Sequence, residues 1–297
     1  MNYLKQEITD FTSTNLTESV TEWSAITTYA VGDLAKRGTY IYKSAIASNL
    51  NNDPEEYNDI KWLKYQISNK YAMLDLSANS KSEYTGSLTV TFTQNRMSTL
   101  AIGNYDATTI SVEVLDELDA TIWSYESEDT LNENVSDWWD YIYSDYGYEV
   151  NRGIKIELGR IGTSVRVTFN SSVDVPITAC GYLVGGEKVD MGCTLYGVSF
   201  TYNSFATKEF DTFGTLNLIK RGVQDLVDFN TVIDNSQLQS SRRKIKSIYN
   251  DIIVFIVDEQ EDSNHENLLT LGVIQDASTV LSNPTKTTIS WSVVEVI

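Results

Sequence analysis

The sequence predicts a mainly β protein with a single helix in its last third, and three observations support this. Apolar and polar residues alternate at 88–93 and in several similar stretches, which is the two-residue period of a half-buried strand. The period becomes helical only at 235–250. Residues 23–62 form an aromatic segment around a Gly-Asp turn, which suits a small β fold. These patterns predict a small β domain, an antiparallel β-sandwich and a C-terminal α+β domain with one helix on a small sheet.

Length and charge restrict the possible functions. The chain has 297 residues, of which 41% are hydrophobic, enough for two or three globular domains. Its 41 acidic and 22 basic residues give a net charge of −19, which argues against nucleic-acid binding and suits a surface that meets basic partners. The first residues are charged early and lack an apolar core, and no apolar run approaches 18 residues. We therefore expect neither a signal peptide nor a membrane span.

Four segments follow along the chain: an N-terminal arm at 1–20, a small β domain at 21–66, a sandwich at 67–212 and an α+β domain at 213–297. The arm is polar, so we expect it to be an irregular strand or a segment that is mobile or laid on a neighbour.

The small β domain at 21–66 carries four aromatic candidates for a binding surface, Trp23, Tyr29, Tyr42 and Trp62. Exposed rings of this kind stack on sugars, but a domain this small also needs several large rings simply to fold. We favour the interpretation that these rings form the domain's own core, and keep glycan binding as the alternative.

The sandwich is predicted from alternating strands at 88–93, 112–114, 165–169 and 196–202. Residues 132–150 within it are the densest aromatic stretch of the chain, interleaved with acids, and supply the candidates Trp138, Trp139 and Tyr141. Aromatics with carboxylates are typical of sugar sites and also of protein interfaces. We favour an interface or internal packing.

The last segment predicts strand, helix and then three strands, with Asn235 or Ser236 capping the helix. One face of the helix is basic and is the positive patch of an acidic protein, with Lys220 and Arg221 as additional contributors. Its residues are Arg242, Arg243, Lys244 and Lys246. Contact with an acidic partner or a second copy and simple solvation are equally good interpretations of this face.

No catalytic arrangement is recognisable in the sequence, which contains none of the common phosphate-binding, hydrolase or metalloprotease motifs. His265 is the single histidine and lies in a very polar stretch. Cys180 and Cys193 lack the spacing of a zinc or redox motif, and two reduced, buried thiols are expected rather than a bridge. Acidic runs at 116–119 and 258–262 fit solvated turns better than calcium loops. We expect a protein without enzymatic activity, cofactor or metal.

Residues 23–62 also resemble a known module. The matching positions are Trp23, Tyr29, Gly32, Asp33, Tyr42, Pro54 and Trp62. This pattern is similar to the small carbohydrate-binding modules appended to chitinases and cellulases, although Lys36-Arg37-Gly38 replaces the usual small polar turn and Ser44 stands for alanine. The resemblance implies a compact β fold and a possible sugar ligand.

Longer phrases resemble a family of bacteriophage virion proteins. They are TSTNLTES with EWSAITTY (12–29), NKYAMLD (69–75), WWDYIY (138–143), CGYLVGGEKVDMGCTLYGVSF (180–200) and FDTFGTLNLIKRG (210–222). The resemblance implies a structural tail protein of a virion, made in the host cytoplasm and released by lysis. We therefore expect a tail or neck-to-tail ring protein (collar or adaptor) in several copies, whose partners are copies of itself and other virion proteins. A tail adhesin that binds host surface glycans is the alternative.

Overall fold

The computed structural model describes residues 1–77, 79–127, 153–173, 175–210, 216–257, 269–281 and 283–296. Most of them lie in antiparallel strands, which confirms the predicted mainly β class. The first strands are β1 (Asn2–Leu4), β2 (Ser13–Thr14), β3 (Thr28–Tyr29), β4 (Leu34–Arg37), β5 (Tyr40–Ser44), β6 (Asn49–Leu50) and β7 (Trp62–Ile67). The middle strands are β8 (Ser82–Thr85), β9 (Leu88–Thr93), β10 (Thr99–Asp106), β11 (Thr109–Leu115), β12 (Thr121–Glu126), β13 (Gly153–Glu157), β14 (Ser164–Asn170) and β15 (Ile177–Gly186).

The last part of the chain contains the remaining strands and the helix. They are β16 (Val189–Asp190), β17 (Cys193–Thr194), β18 (Ser199–Ser204), β19 (Thr207–Phe210), β20 (Leu216–Ile219), β21 (Val223–Asp234), α1 (Leu238–Ile248), β22 (Ile253–Ile256), β23 (Leu269–Leu281) and β24 (Lys286–Glu295). Short 3-10 helices lie at Ala72–Leu74 and Asn235–Gln237. None of the helices in the described ranges is long and apolar enough to cross a membrane.

The small β domain consists of the three-stranded sheet β4-β5-β7 and the pair β3-β6. The predicted Gly-Asp turn leads into β4. Gly32 has a φ of +92°, which glycine adopts without a steric penalty, and the Asp33 carboxylate accepts a hydrogen bond from the Ala30 amide at 2.7 Å. The turn is tied to the end of β5, because the Gly32 amide donates to the Ser44 carbonyl and the Ser44 amide donates to the Asp33 carbonyl, each at 2.8 Å.

Two sheets form the predicted sandwich, with strand orders β12-β11-β14-β9-β2 and β13-β10-β15-β8. Their facing sides share one core, in which Val90 and Val167 come from the first sheet and Leu100 and Leu183 from the second. Strands β9 and β14 alternate between buried and half-buried residues, as their two-residue period predicts.

The second of these sheets is buried on both faces, because its other side packs on the C-terminal sheet. Ala101, Tyr182 and Val184 meet Val254 and Leu271 there. This double burial explains why nine of the ten residues of β15 are buried.

Tyr182 crosses β10 at a glycine. A Cβ on Gly103 would lie 2.1 Å from the Tyr182 ring, so only glycine leaves room for it. The tyrosine packs into the layer between the two sheets, where burial strongly raises the pKa of its hydroxyl.

The C-terminal sheet has eight strands in the order β16-β1-β22-β23-β24-β21-β17, with β18 also paired to β21. Helix α1 covers one face through Ile245 and Ile248, which pack in the same core as Phe255 and Trp291. The predicted order of strand, helix and three strands is confirmed. Apart from the small β domain, the described residues form four layers: sheet, sheet, sheet and helix.

The predicted helix cap is wrong. Neither Asp234 nor Gln237, which occupy the two N-cap positions, makes a side-chain cap bond. The Asn235 side chain instead donates to the Asn283 carbonyl at 3.1 Å and accepts from the Thr287 hydroxyl at 2.6 Å. It ties the start of the helix to the β23–β24 turn.

The boundary predicted at 212 does not coincide with the change of sheet. Strand β16 pairs with β1, and β17 and β18 pair with β21, so three strands between 189 and 204 already belong to the C-terminal sheet. The half-buried strand predicted at 196–202 is also corrected: β18 begins at Ser199 and its six residues are all exposed.

The N-terminal arm predicted at 1–20 is part of the fold. Strand β1 lies inside the C-terminal sheet between β16 and β22, and β2 extends the first sandwich sheet beside β9. Between them, the Asp10 carboxylate pairs with the Lys70 ammonium at 2.8 Å. The arm is laid on its own chain because the apolar residues Leu4, Ile8 and Phe11 supply the burial that a purely polar segment would lack.

Candidate functional site

The aromatic residues of the small β domain form its core. Trp62 is 0% exposed, and its indole N–H donates to the Asn52 carbonyl at 2.9 Å. The Tyr29 ring meets it edge-on, with ring centroids 5.0 Å apart. Tyr42 is buried in the same cluster, where burial raises the pKa of its hydroxyl. These three rings pack on one another and are not presented to a ligand.

Trp23 lies at the margin of that cluster and is half-buried. The Arg37 guanidinium lies 5.4 Å from the centre of its ring and also pairs with the Asp53 carboxylate at 2.7 Å. A cation over the indole restricts access to that face of the ring.

Tyr65 is an exposed ring of the domain that sequence reasoning missed. Its side chain is 56% exposed, and Leu63 and Leu34 lie exposed on the same sheet. The Lys43 ammonium lies 5.9 Å from the Tyr65 ring centre. Tyr65 sits where the β5–β7 register shifts by one residue, and the sequence carries no signal for that irregularity.

The basic residues of helix α1 separate into three environments. Lys244 donates to the Asp190 carbonyl at 3.1 Å and so holds the helix onto β16. Arg242 and Lys246 line a groove, whereas Arg243 is exposed and does not line it. The predicted basic face is therefore partly an internal contact, partly the rim of a groove and partly exposed surface.

The groove lies between α1 and the far end of β23 and has a volume of about 510 Å³. Its lining is mainly apolar, with the two cations at its edge. The lining residues are Leu238, Arg242, Ile245, Lys246, Tyr249, Ala277, Thr279 and Leu281.

A second exposed feature is a two-stranded ribbon, which we define as residues 199–210 and 216–226. Strand β18 pairs with β21, the Phe205 amide donates to the Gly222 carbonyl at 3.2 Å, and β19 pairs with β20. Among the described strands, β24 supports β21 only from Leu226 onward, so about 30 Å of the ribbon extends beyond the sheet.

The ribbon exposes large apolar side chains. Tyr202 is 65% exposed and Phe205 is 51% exposed. Others along it are Phe200, Leu218, Ile219 and Val223. Exposed apolar surface of this extent is typical of an interaction site. Lys220 and Arg221 are also exposed on the ribbon, not on the helix.

Several predicted candidates lie outside the described residues. They are Trp138, Trp139 and Tyr141, which belong to the 132–150 stretch, and His265, which belongs to the stretch at 258–268.

The cysteines are both free, as expected, but only Cys180 is buried, since Cys193 is exposed. Burial strongly raises the pKa of the Cys180 thiol, so it stays protonated at neutral pH.

In the described part of the chain, no group of three or more His, Cys, Asp or Glu side chains is placed to hold a metal ion. The acidic run at 116–119 forms a turn in which the Asp116 carboxylate accepts from the Leu118 and Ala120 amides, at 2.8 and 2.9 Å.

Comparison with known proteins gives no match. No protein-family model fits the chain, and no curated sequence or solved structure is significantly similar to it.

Proposed function

We propose that this protein is a non-enzymatic structural component of a bacteriophage virion, namely a tail or neck-to-tail ring protein (collar or adaptor) present in several copies. The observation that carries this proposal is the exposed ribbon at 199–226. The ordered series of phrases from 12 to 222 that resemble virion proteins points in the same direction.

Within the described residues, the part of the ribbon beyond Leu226 has neither a third strand nor a packed face. An isolated two-stranded ribbon is at best marginally stable in water, and three strands or a packed face are needed to stabilise it. The face that carries Phe200 and Tyr202 continues the face on which Val227 is buried in the core. A neighbouring subunit in a ring would complete that face by covering it.

Incorporation into particles tests this proposal. The double variant Phe205→Ser and Ile219→Ser changes two exposed side chains, so it should fold normally but enter purified virions at least about tenfold less than the wild type. The matched control is Leu118→Ser, an exposed apolar residue in a turn of the sandwich, which should be incorporated normally. Quantitative mass spectrometry of gradient-purified particles measures both. Absence of the wild-type protein from the particles would overturn the proposal.

The alternative function is a glycan-binding adhesin of the tail, and the observation that favours it is the exposed Tyr65 ring beside Leu63. Binding on a glycan array should then be lost in Tyr65→Ala and kept in Tyr65→Trp. A wild-type protein that binds no glycan would reject this alternative.

A further inference from the structure

The groove beside α1 has an apolar floor and a positive rim. Ile245 and Ala277, which pack in the core under α1, contribute to the floor, and Arg242 and Lys246 contribute the charge. No described carboxylate pairs with either cation, in a protein where acids outnumber bases 41 to 22. The chemistry that fits is a segment with large apolar side chains and carboxylates at their sides.

The chain itself contains such a segment. Residues 132–150 carry five acids, six aromatic residues and no Lys or Arg. We propose that the groove of one copy binds the 132–150 segment of a neighbouring copy. This inference rests on the proposed function, because it requires several copies in one assembly.

The position of the segment in the chain favours a neighbouring copy over the same one. Residues 132–150 are followed by Gly153, where a Cβ would lie 2.7 Å from Leu269 at the start of β23. The groove lies at the opposite end of that strand, at 277–281, about 30–40 Å away along an extended strand. Val150, the last residue of the segment, precedes Gly153 by three residues, which span at most about 11 Å, so this end of the segment cannot reach the groove of its own copy.

The test uses the full chain and a synthetic peptide with the sequence of residues 132–150. The labelled peptide should bind the wild-type protein, and Arg242→Glu with Lys246→Glu should weaken binding at least about tenfold, since charge reversal at a contact makes attraction into repulsion. Arg243→Glu is the matched control, on the same helix with the same charge change but outside the groove, and should leave binding within about twofold. Thermal unfolding checks that all variants fold.

Self-association distinguishes the source of the segment. Sedimentation measures self-association of the full chain. The groove variant Arg242→Glu with Lys246→Glu and the segment variant Asp137→Lys with Asp140→Lys should each weaken it. The four changes combined should restore it, because the charges are then complementary again. Failure of the peptide to bind, or equal loss in Arg243→Glu, overturns the inference. Peptide binding by a chain that stays monomeric also overturns it, because the segment would then act within one copy.

The outcomes separate this inference from the proposed function. If the protein is a virion component and the groove variants assemble normally, only the inference fails. If the peptide binds as described but the protein is absent from particles, only the proposed function fails.

Discussion

Replacing Trp62 by alanine should unfold the small β domain and leave the rest of the molecule intact. The Trp62 side chain is 0% exposed, so the substitution removes about 200 Å² of buried ring surface, worth at most about 5 kcal/mol at 25 cal/mol per Å². The hydrogen bond to Asn52 adds about 1 kcal/mol. Large-to-small core substitutions of this kind cost about 3–5 kcal/mol, and a domain this small is stable by only a few kcal/mol.

Hydrogen exchange followed by mass spectrometry separates the small β domain from the sandwich. In Trp62→Ala, amides of β4, β5 and β7 should lose protection, while those of β9 and β14 keep it. Leu63→Ala is the control, because this neighbour on β7 is exposed and its loss should cost less than about 0.5 kcal/mol. If Trp62→Ala kept full protection in β5 and β7, the assignment of Trp62 to the core would be refuted. Loss of glycan binding in such a folded variant would support a sugar-stacking role instead.

Three further predictions follow from single contacts. In native protein a thiol reagent should modify Cys193 alone, with Cys180 reacting only after denaturation; two fast-reacting thiols would contradict its burial. Ser82→Ala should lower the free energy of unfolding, measured with denaturant, by about 1–3 kcal/mol. The buried Ser82 hydroxyl accepts a hydrogen bond from the Met73 amide at 3.0 Å and donates one to the Asn69 carbonyl at 2.6 Å. Ser124→Ala is the control, because Ser124 is exposed and its replacement should cost almost nothing. The hydrogen bond from Lys70 lowers the pKa of Asp10, so the pair stabilises the fold above the unfolded pKa of about 4, and this is lost as pH falls through the folded pKa. The difference in unfolding free energy between wild type and Asp10→Asn should be about 1 kcal/mol or less at pH 7, because solvent screens this partly exposed pair. The difference should vanish near pH 2, and a difference that does not change with pH would contradict the prediction.

The sequence predicts strands well where one face is buried and the other is not. The alternation in β9 and β14 follows from that asymmetry, and the apolar spacing in α1 follows from the same cause with a helical period. Alternation also occurs in the exposed strand β18, where no described layer covers the apolar face, so the pattern gives the strand but not its burial.

Pairing between distant parts of the chain is not readable from local pattern. Strand β1 pairs with β22, more than 240 residues away, and this contact decides that the N-terminal arm belongs to the C-terminal sheet. The Asn235 side chain binds the β23–β24 turn in place of capping α1, since a short polar side chain takes whichever backbone partner the tertiary fold brings near.

Some features of the candidate sites follow from local sequence, and others depend on contacts between distant parts of the chain. The core role of Tyr29, Tyr42 and Trp62 follows from the size of the domain, which requires large rings inside it. The groove needs α1 and the far end of β23 to meet, and the ribbon needs β24 to stop supporting β21 at Leu226. Both depend on where strands end relative to one another in space.

Cryo-EM of the purified virions tests the central proposal most directly. The proposal predicts one symmetric layer of the tail or neck into which several copies of this fold can be built, with each ribbon at 199–226 covered by a neighbouring subunit. A complete map of the particle in which no layer accommodates the fold would contradict it.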